Sequence, residues 1–286
     1  MVSINIEEIR KFFREFKCEQ LTSSEDNISL IKDFKSKKEN DDLQDYLLSK
    51  KRAWTEDLDG ETRVYLIKDK AGNVACYFSL KCGLIVGDDL DEHLSDDERA
   101  ILEPYIDAKK DGDKEAENNL FEAINSLFPE RADYLFRIAL KRLERKTEAI
   151  EIGQSQNTIN VPMCYSGIEL KHLCRNANYI LDENIKVPLG FGLFWEKIVP
   201  IIEDISKKIG CKYLYLFAAD DSRKEDSDVK KLVRYYKNDF EFYECDESMK
   251  LVKPDYDNYC YGLVQQVNDL KKNRDAIWEE FSDVWE

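Results

Sequence analysis

A mixed α/β fold is predicted by three features of the chain. Residues 167–243 read as strand, turn, helix, strand and helix: the apolar run Ile168-Glu169-Leu170-Lys171-His172-Leu173-Cys174 leads to Gly190-Phe191-Gly192, then to a helical pattern, a second apolar run at 211–219 and a further helical pattern. Residues 62–68 and 73–86 carry period-two and continuous apolar character around Lys70-Ala71-Gly72-Asn73, which predicts a hairpin. Residues 88–150 hold three successive helical patterns.

Taken in order, residues 5–16 place Ile6, Ile9, Phe12, Phe13 and Phe16 at helical spacing, an amphipathic helix suited to lie across a core. A turn-rich passage at 21–27 leads to Ile28, Ile31 and Phe34, and then to Leu43, Tyr46, Leu47 and Trp54, again at helical spacing. Ser95-Asp96-Asp97-Glu98 has capping-box form, because a serine hydroxyl and a glutamate three residues on can satisfy each other's backbone donors. It opens helices expected at 99–108, 114–127 and 132–150, and a polar return loop follows at 154–162. After Gly192, Phe194, Ile198, Ile201, Ile202, Ile205 and Ile209 mark a helix that Gly210 stops. The run 211–219 is a buried-strand candidate, followed by polar Asp220-Asp221-Ser222, helical Leu232 to Tyr236, a final strand at 259–267 and an amphipathic helix at 269–285 carrying Ile277, Phe281, Val284 and Trp285.

Bulk properties narrow the function. The 286 residues include 59 acidic and 43 basic ones, a net charge of −16, without a Lys/Arg tract, so long-range steering disfavours nucleic acid and favours a cationic acceptor. Eight cysteines without a C-x-x-C pair, and no signal peptide, imply reduced thiols and a cytoplasmic setting. No apolar run approaches the ~20 residues of a spanning helix. With His93 and His172 as the two histidines, a histidine-rich zinc site is excluded, and no metal is expected.

The order of elements at 160–267, together with Ile31-Lys32-Asp33-Phe34, Asp42-Leu43-Gln44-Asp45-Tyr46-Leu47 and the hairpin at 62–86 within 20–87, resembles the GNAT acetyltransferase superfamily. The resemblance implies a mostly antiparallel central sheet flanked by helices, as one domain spanning 1–286. Within it, a helical insertion at 88–152 would separate the third and fourth strands, and a C-terminal helix would occupy 268–286. It further implies an N-acetyltransferase that uses acetyl-CoA as co-substrate and a small-molecule or protein amine as acceptor. The insertion would serve packing or self-association into a homodimer. Two other readings follow from the same resemblance: a catalytically impaired binding or regulatory module, and a toxin-like enzyme acting on aminoacyl-tRNA.

Residue by residue, the family's Q/R-x-x-G-x-G/A pyrophosphate turn corresponds to Val187-Pro188-Leu189-Gly190-Phe191-Gly192, with Leu193 opening the helix and Lys186 replacing the missing cation. A helix start offers unpaired N–H groups and partial positive charge to a phosphate, although Pro188 has no N–H to give. The thioester carbonyl would be held by backbone donors near Leu173, Cys174 and Arg175. Glu169 corresponds to a catalytic base of the fourth strand and Tyr236 to the general acid. Strict alternation places Glu169, Lys171 and Leu173 on one strand face and His172 on the other. His172 is a weaker candidate base and Cys174 a weaker candidate nucleophile.

Overall fold

The structure, a computed structural model, describes residues 6–37, 42–87, 94–151, 163–219, 226–245, 249–252 and 260–285. The first part forms helix α1 (Ile6–Arg14), strand β1 (Lys17–Gln20), helices α2 (Asp26–Leu30), α3 (Asp42–Leu48) and α4 (Thr55–Asp59), and strands β2 (Arg63–Lys68) and β3 (Val74–Gly87). Three helices follow, α5 (Asp96–Asp111), α6 (Lys114–Leu127) and α7 (Ala132–Glu151). Then come strand β4 (Met163–Arg175), helices α8 (Leu189–Leu193) and α9 (Val199–Lys208), strand β5 (Tyr213–Ala219) and helix α10 (Asp226–Phe240). Strands β6 (Tyr243–Glu244), β7 (Met249–Leu251) and β8 (Cys260–Gln266) and helix α11 (Leu270–Trp285) complete the chain. A π-helical turn, Phe194–Ile198, joins α8 to α9.

Among the described residues one sheet runs in the order β1-β2-β3-β4-β5-β8-β6, with β7 paired to β3 off this path. The β1–β2, β2–β3, β5–β8 and β6–β8 pairs are antiparallel, and β4–β5 is parallel. Alternation along β2 and β3 sends Ile67, Cys76, Phe78 and Leu80 to one face, against Phe13 of α1, Trp195 of the π turn and Ile202 of α9. It sends Val64, Leu66 and Tyr77 to the other, against Phe34, Tyr46 and Leu47. Full burial of a side chain such as Phe13 stabilises the fold by roughly 1.5–3 kcal/mol. The C-terminal helix docks on the first face through Leu270, Ile277 and Trp278.

These elements make up most of one compact unit, residues 1–85, 165–246 and 251–286. A second unit, residues 86–164 and 247–250, has its own core of Leu102, Tyr105, Ile106, Ile124, Leu135 and Ile138. There the capping box forms as expected: Glu98 N donates to Ser95 Oγ at 3.2 Å and Ser95 N donates to Glu98 Oε2 at 2.8 Å. Gly112, at φ 72°, ends α5 in the left-handed conformation.

Three local expectations change. β1 was not anticipated, because Lys17-Cys18-Glu19-Gln20 is short and mostly polar; its register with β2, Cys18↔Ile67, imposes the strand. The helix after Gly192 stops at Lys208, with Ile209 already extended at φ −132°, before Gly210 is reached. The Gly190 and Gly192 positions lie inside α8 rather than in a turn ahead of it. The return loop at 154–162, Asp220-Asp221-Ser222 and His93 lie outside the described residues. Among the described residues no helix is long and apolar enough to cross a membrane, and no group of three or more His, Cys, Asp or Glu side chains could hold a metal ion. All eight cysteines are free thiols.

Candidate active site

The site is built where β4 and β5 part. The two strands stay in register over Gly167↔Tyr213, Ile168↔Leu214 and Glu169↔Tyr215. Beyond that pair β4 runs on to Arg175 and β5 to Ala219, with no further register between them among the described residues. Parallel strands that separate leave a wedge bordered by backbone hydrogen-bonding groups no longer engaged across the pair.

The face assignment of β4 changes at the same place. Ile168 and Leu170 pack in the core of the α1–α9 face, yet His172, two residues on, stacks on Tyr46 of the opposite face at 3.9 Å between ring centroids. Lys171 reaches the same Tyr46 ring, its Nζ 5.6 Å from the centroid, while Leu173 packs with the first core. Strict alternation is therefore broken between Leu170 and His172, as a β-bulge would do. This corrects the expected grouping of Glu169, Lys171 and Leu173 on one face.

Glu169 is 6% exposed and forms no ion pair or hydrogen bond among the described residues. Burial raises its carboxyl above the ordinary glutamate range, opposed by the charges of Lys171 and Lys81. Beside it, the Tyr215 ring lies over Gly167 and Gly83, where a Cβ would come within 2.9 Å and 1.7 Å of Tyr215 atoms. Desolvation pushes the Tyr215 hydroxyl up, with the charge of Glu169 adding to the effect. Tyr215 escaped the sequence reading, although Tyr213, Tyr215 and Phe217 recur at period two in β5.

Tyr236 of α10 is half-buried against the core, and desolvation, with Cys174 close by, pushes its hydroxyl up to about 12. That lies above the ~8.5 of an ordinary thiol, so the group is suited to donate a hydrogen bond to a developing thiolate and less suited to give up its proton outright. Tyr235 also faces the site: its hydroxyl is 3.1 Å from where a Cβ on Gly190 would stand. Burial raises Tyr235, and among its neighbours Arg175 acts in the opposite sense. Lys186, read in the sequence as the cation for the pyrophosphate turn, donates instead to the carbonyl of Glu183 at 2.7 Å.

At the helix start, Val187, Leu189, Phe191 and Leu193 bury their side chains in the core and have only backbone to offer. Gly192 N donates to Pro188 O at 3.1 Å, and no side chain caps the helix. Gly192 is required for packing, since a Cβ there would lie 2.2 Å from the Phe13 ring. The loop from Asn176 leads into this start and is pinned by Asn176 N to Ala75 O at 2.9 Å and Ala177 N to Lys35 O at 2.7 Å.

Two weaker candidates fall away. Burial, helped by Lys171, pushes His172 down to about 3, so it stays neutral, with Nδ1 2.8 Å from Ser79 Oγ. Cys174 is buried, with Sγ 3.7 Å from its neighbour's carbonyl oxygen.

The strand order, with one parallel β4–β5 pair in an otherwise largely antiparallel sheet flanked by helices, defines a mixed α/β fold. Among solved structures, the chain is similar to a mutant of the AtaT toxin at 12% identity, TM-score 0.46, covering 91% of this chain and 94% of that one. It is also similar to AtaTR bound with AcCoA at 11% identity, TM-score 0.43, covering 91% and 98%. A mutant of KacT matches at 11% identity, TM-score 0.42, covering 91% and 99%. No family model and no curated protein matches the chain. The likeness is distant, and the fold assignment stands on the strand order itself.

Proposed function

We propose that the chain is a CoA-dependent N-acetyltransferase. The observation that carries this reading is the parting of β4 and β5 beside a buried, unpaired Glu169, with the tyrosines of α10 at the other side of β4's end. Acetyl-CoA would supply an activated acetyl thioester. The backbone near Leu173, Cys174 and Arg175 would orient its carbonyl, and Arg175 with the N–H groups at Leu189 and Gly190 would face its diphosphate.

Glu169 accepts the proton that the amine nitrogen loses as the C–N bond forms, directly or through one water. Burial raises its pKa, which makes it a stronger base than an exposed glutamate. Tyr236 donates a hydrogen bond to the sulfur as the C–S bond breaks, and the thiolate takes its proton from solvent or through that hydroxyl. Titration calorimetry with acetyl-CoA, followed by thiol-release assays over amines, peptides and aminoacyl-tRNA, tests the reading. Absence of binding at millimolar acetyl-CoA would remove it.

A second reading, a GNAT-shaped binding module without turnover, is favoured by the helix start. Gly192 N is already engaged, Pro188 offers no donor, and Tyr235 stands against Gly190. It is rejected by turnover with any acceptor.

A further inference from the structure

We propose that Glu56, anchored by Tyr46, holds the Lys171 ammonium away from Glu169, so that Glu169 stands without a counter-ion where the acceptor's proton must go. The inference rests on the reading of Glu169 as the proton acceptor and adds two positioning residues to it.

Lys171 lies two residues from Glu169 on β4, within reach of it for a flexible four-carbon stem. A lysine free to choose would pair with that carboxylate. It is drawn elsewhere: Lys171 Nζ donates to Glu56 Oε2 at 2.9 Å, and Tyr46 Oη donates to the same oxygen at 2.9 Å. Lys171, on the face opposite Leu170 as alternation requires, already points to the Tyr46 side, and the break after it brings His172 there as well.

The other charged and titratable groups leave this arrangement in place. Around Lys171, Arg52 packs 5.3 Å from the Tyr46 centroid and pairs with Asp42 at 2.7 Å, while His172 is neutral. Asp57 accepts from Gln20, Thr22 N and Val64 N. Around Glu169 stand Lys81 of β3, which acts through charge without an ion pair, and protonated Tyr215 of β5. Glu56 is therefore the carboxylate that takes Lys171, and its own carboxyl is held below the ordinary range despite burial, by Lys171 and Tyr46.

An opposite charge brought within about 4–6 Å lowers a carboxyl pKa by roughly 1–3 units. Carbon-13 NMR titration of the Glu169 carboxyl in full-length protein reads this directly, without turnover. In Glu56→Gln the released Lys171 is expected to lower the Glu169 midpoint by about one pH unit or more. The double variant Glu56→Gln with Lys171→Met is expected to return it to the wild-type value. Lys171→Met alone is expected to move it by less than about half a unit, and it serves as the test if Glu56→Gln does not fold.

A folded Glu56→Gln with an unchanged midpoint overturns the proposal, as does a double variant that titrates like Glu56→Gln. So does a rise of about one unit or more in Lys171→Met, because Lys171 would then already be the counter-ion of Glu169. If no acceptor is ever acetylated, the enzymatic reading fails while these midpoints still decide the positioning.

Discussion

Two glutamates in the same compact unit are buried to the same degree and treated in opposite ways. Glu196, 5% exposed on the π turn between α8 and α9, is gripped by Arg10 Nε at 2.9 Å and Arg14 Nε at 2.6 Å, and Arg10 also reaches Asp275 of α11 at 3.4 Å. Glu169, 6% exposed on β4, has no such partner among the described residues. The first ties three helices together by charge. The second keeps an uncompensated carboxyl at a place where the sheet opens. Burial alone thus does not single out a candidate base; burial without a partner, at a break in strand pairing, does.

The contrast is broken most directly at Glu169. Glu169→Gln is expected to lower the rate of acetyl transfer by roughly 10²–10⁴-fold, measured as kcat/KM for thiol release, with the fold intact. Tyr236→Phe should lower kcat by about 10²-fold at most, since it removes one hydrogen-bond donor to the leaving sulfur and keeps the ring. At the other glutamate the loss should fall on stability. Glu196→Ala leaves two arginines facing a buried void and is expected to cost about 3 kcal/mol in urea unfolding, with unchanged activity per folded molecule. Arg14 is 44% exposed and can rehydrate, which sets the cost at the lower end of the range for broken buried pairs. Gly192→Ala, in the same helical run, should cost roughly 1–3 kcal/mol by overpacking against Phe13.

The smallest effect sharpens the contrast through pH. The folded-state pKa of Glu169 is raised above its unfolded value, so the unfolded chain gives up this proton first as pH rises, and the native state loses stability relative to a neutral side chain. Glu169→Gln should therefore exceed the wild type in stability at neutral pH, as measured by urea unfolding. The difference should vanish below about pH 4, where the carboxyl is protonated in both states. The acid limb of kcat/KM, set by the same group, should lie above the ordinary glutamate range. Equal unfolding free energies for the two proteins at pH 5 and pH 8 would contradict the assignment of Glu169 as unpaired.

Much of the framework was legible because it rests on local chemistry. The capping box at Ser95 needs four residues, the β2–β3 hairpin needs alternation and a polar turn, and the core helix needs its isoleucines at period 3.6. Glu169 lies at the last register pair between β4 and β5, and Tyr236 lies close to Cys174 near the end of β4. What misled was residue chemistry with two explanations. A glycine pair before an apolar helix reads as a phosphate turn, yet Gly192 is small because Phe13, far away in sequence, fills the space above it. Lys186 is the nearest cation along the chain, and the fold engages it with the carbonyl of Glu183.

The amino-acid order by itself determined most of the longer strands and helices and their succession, because hydrophobic period and caps act within a few residues, whereas short polar β1 depends on its register with β2. Only the tertiary structure decided that β4 and β5 separate after Glu169, that Lys171 and His172 share a face, and that Glu56 takes the ammonium Glu169 lacks. Each of these depends on contacts between residues separated by tens to more than a hundred positions, and an ion pair forms with whichever opposite charge the folded backbone delivers, not with the one nearest in sequence.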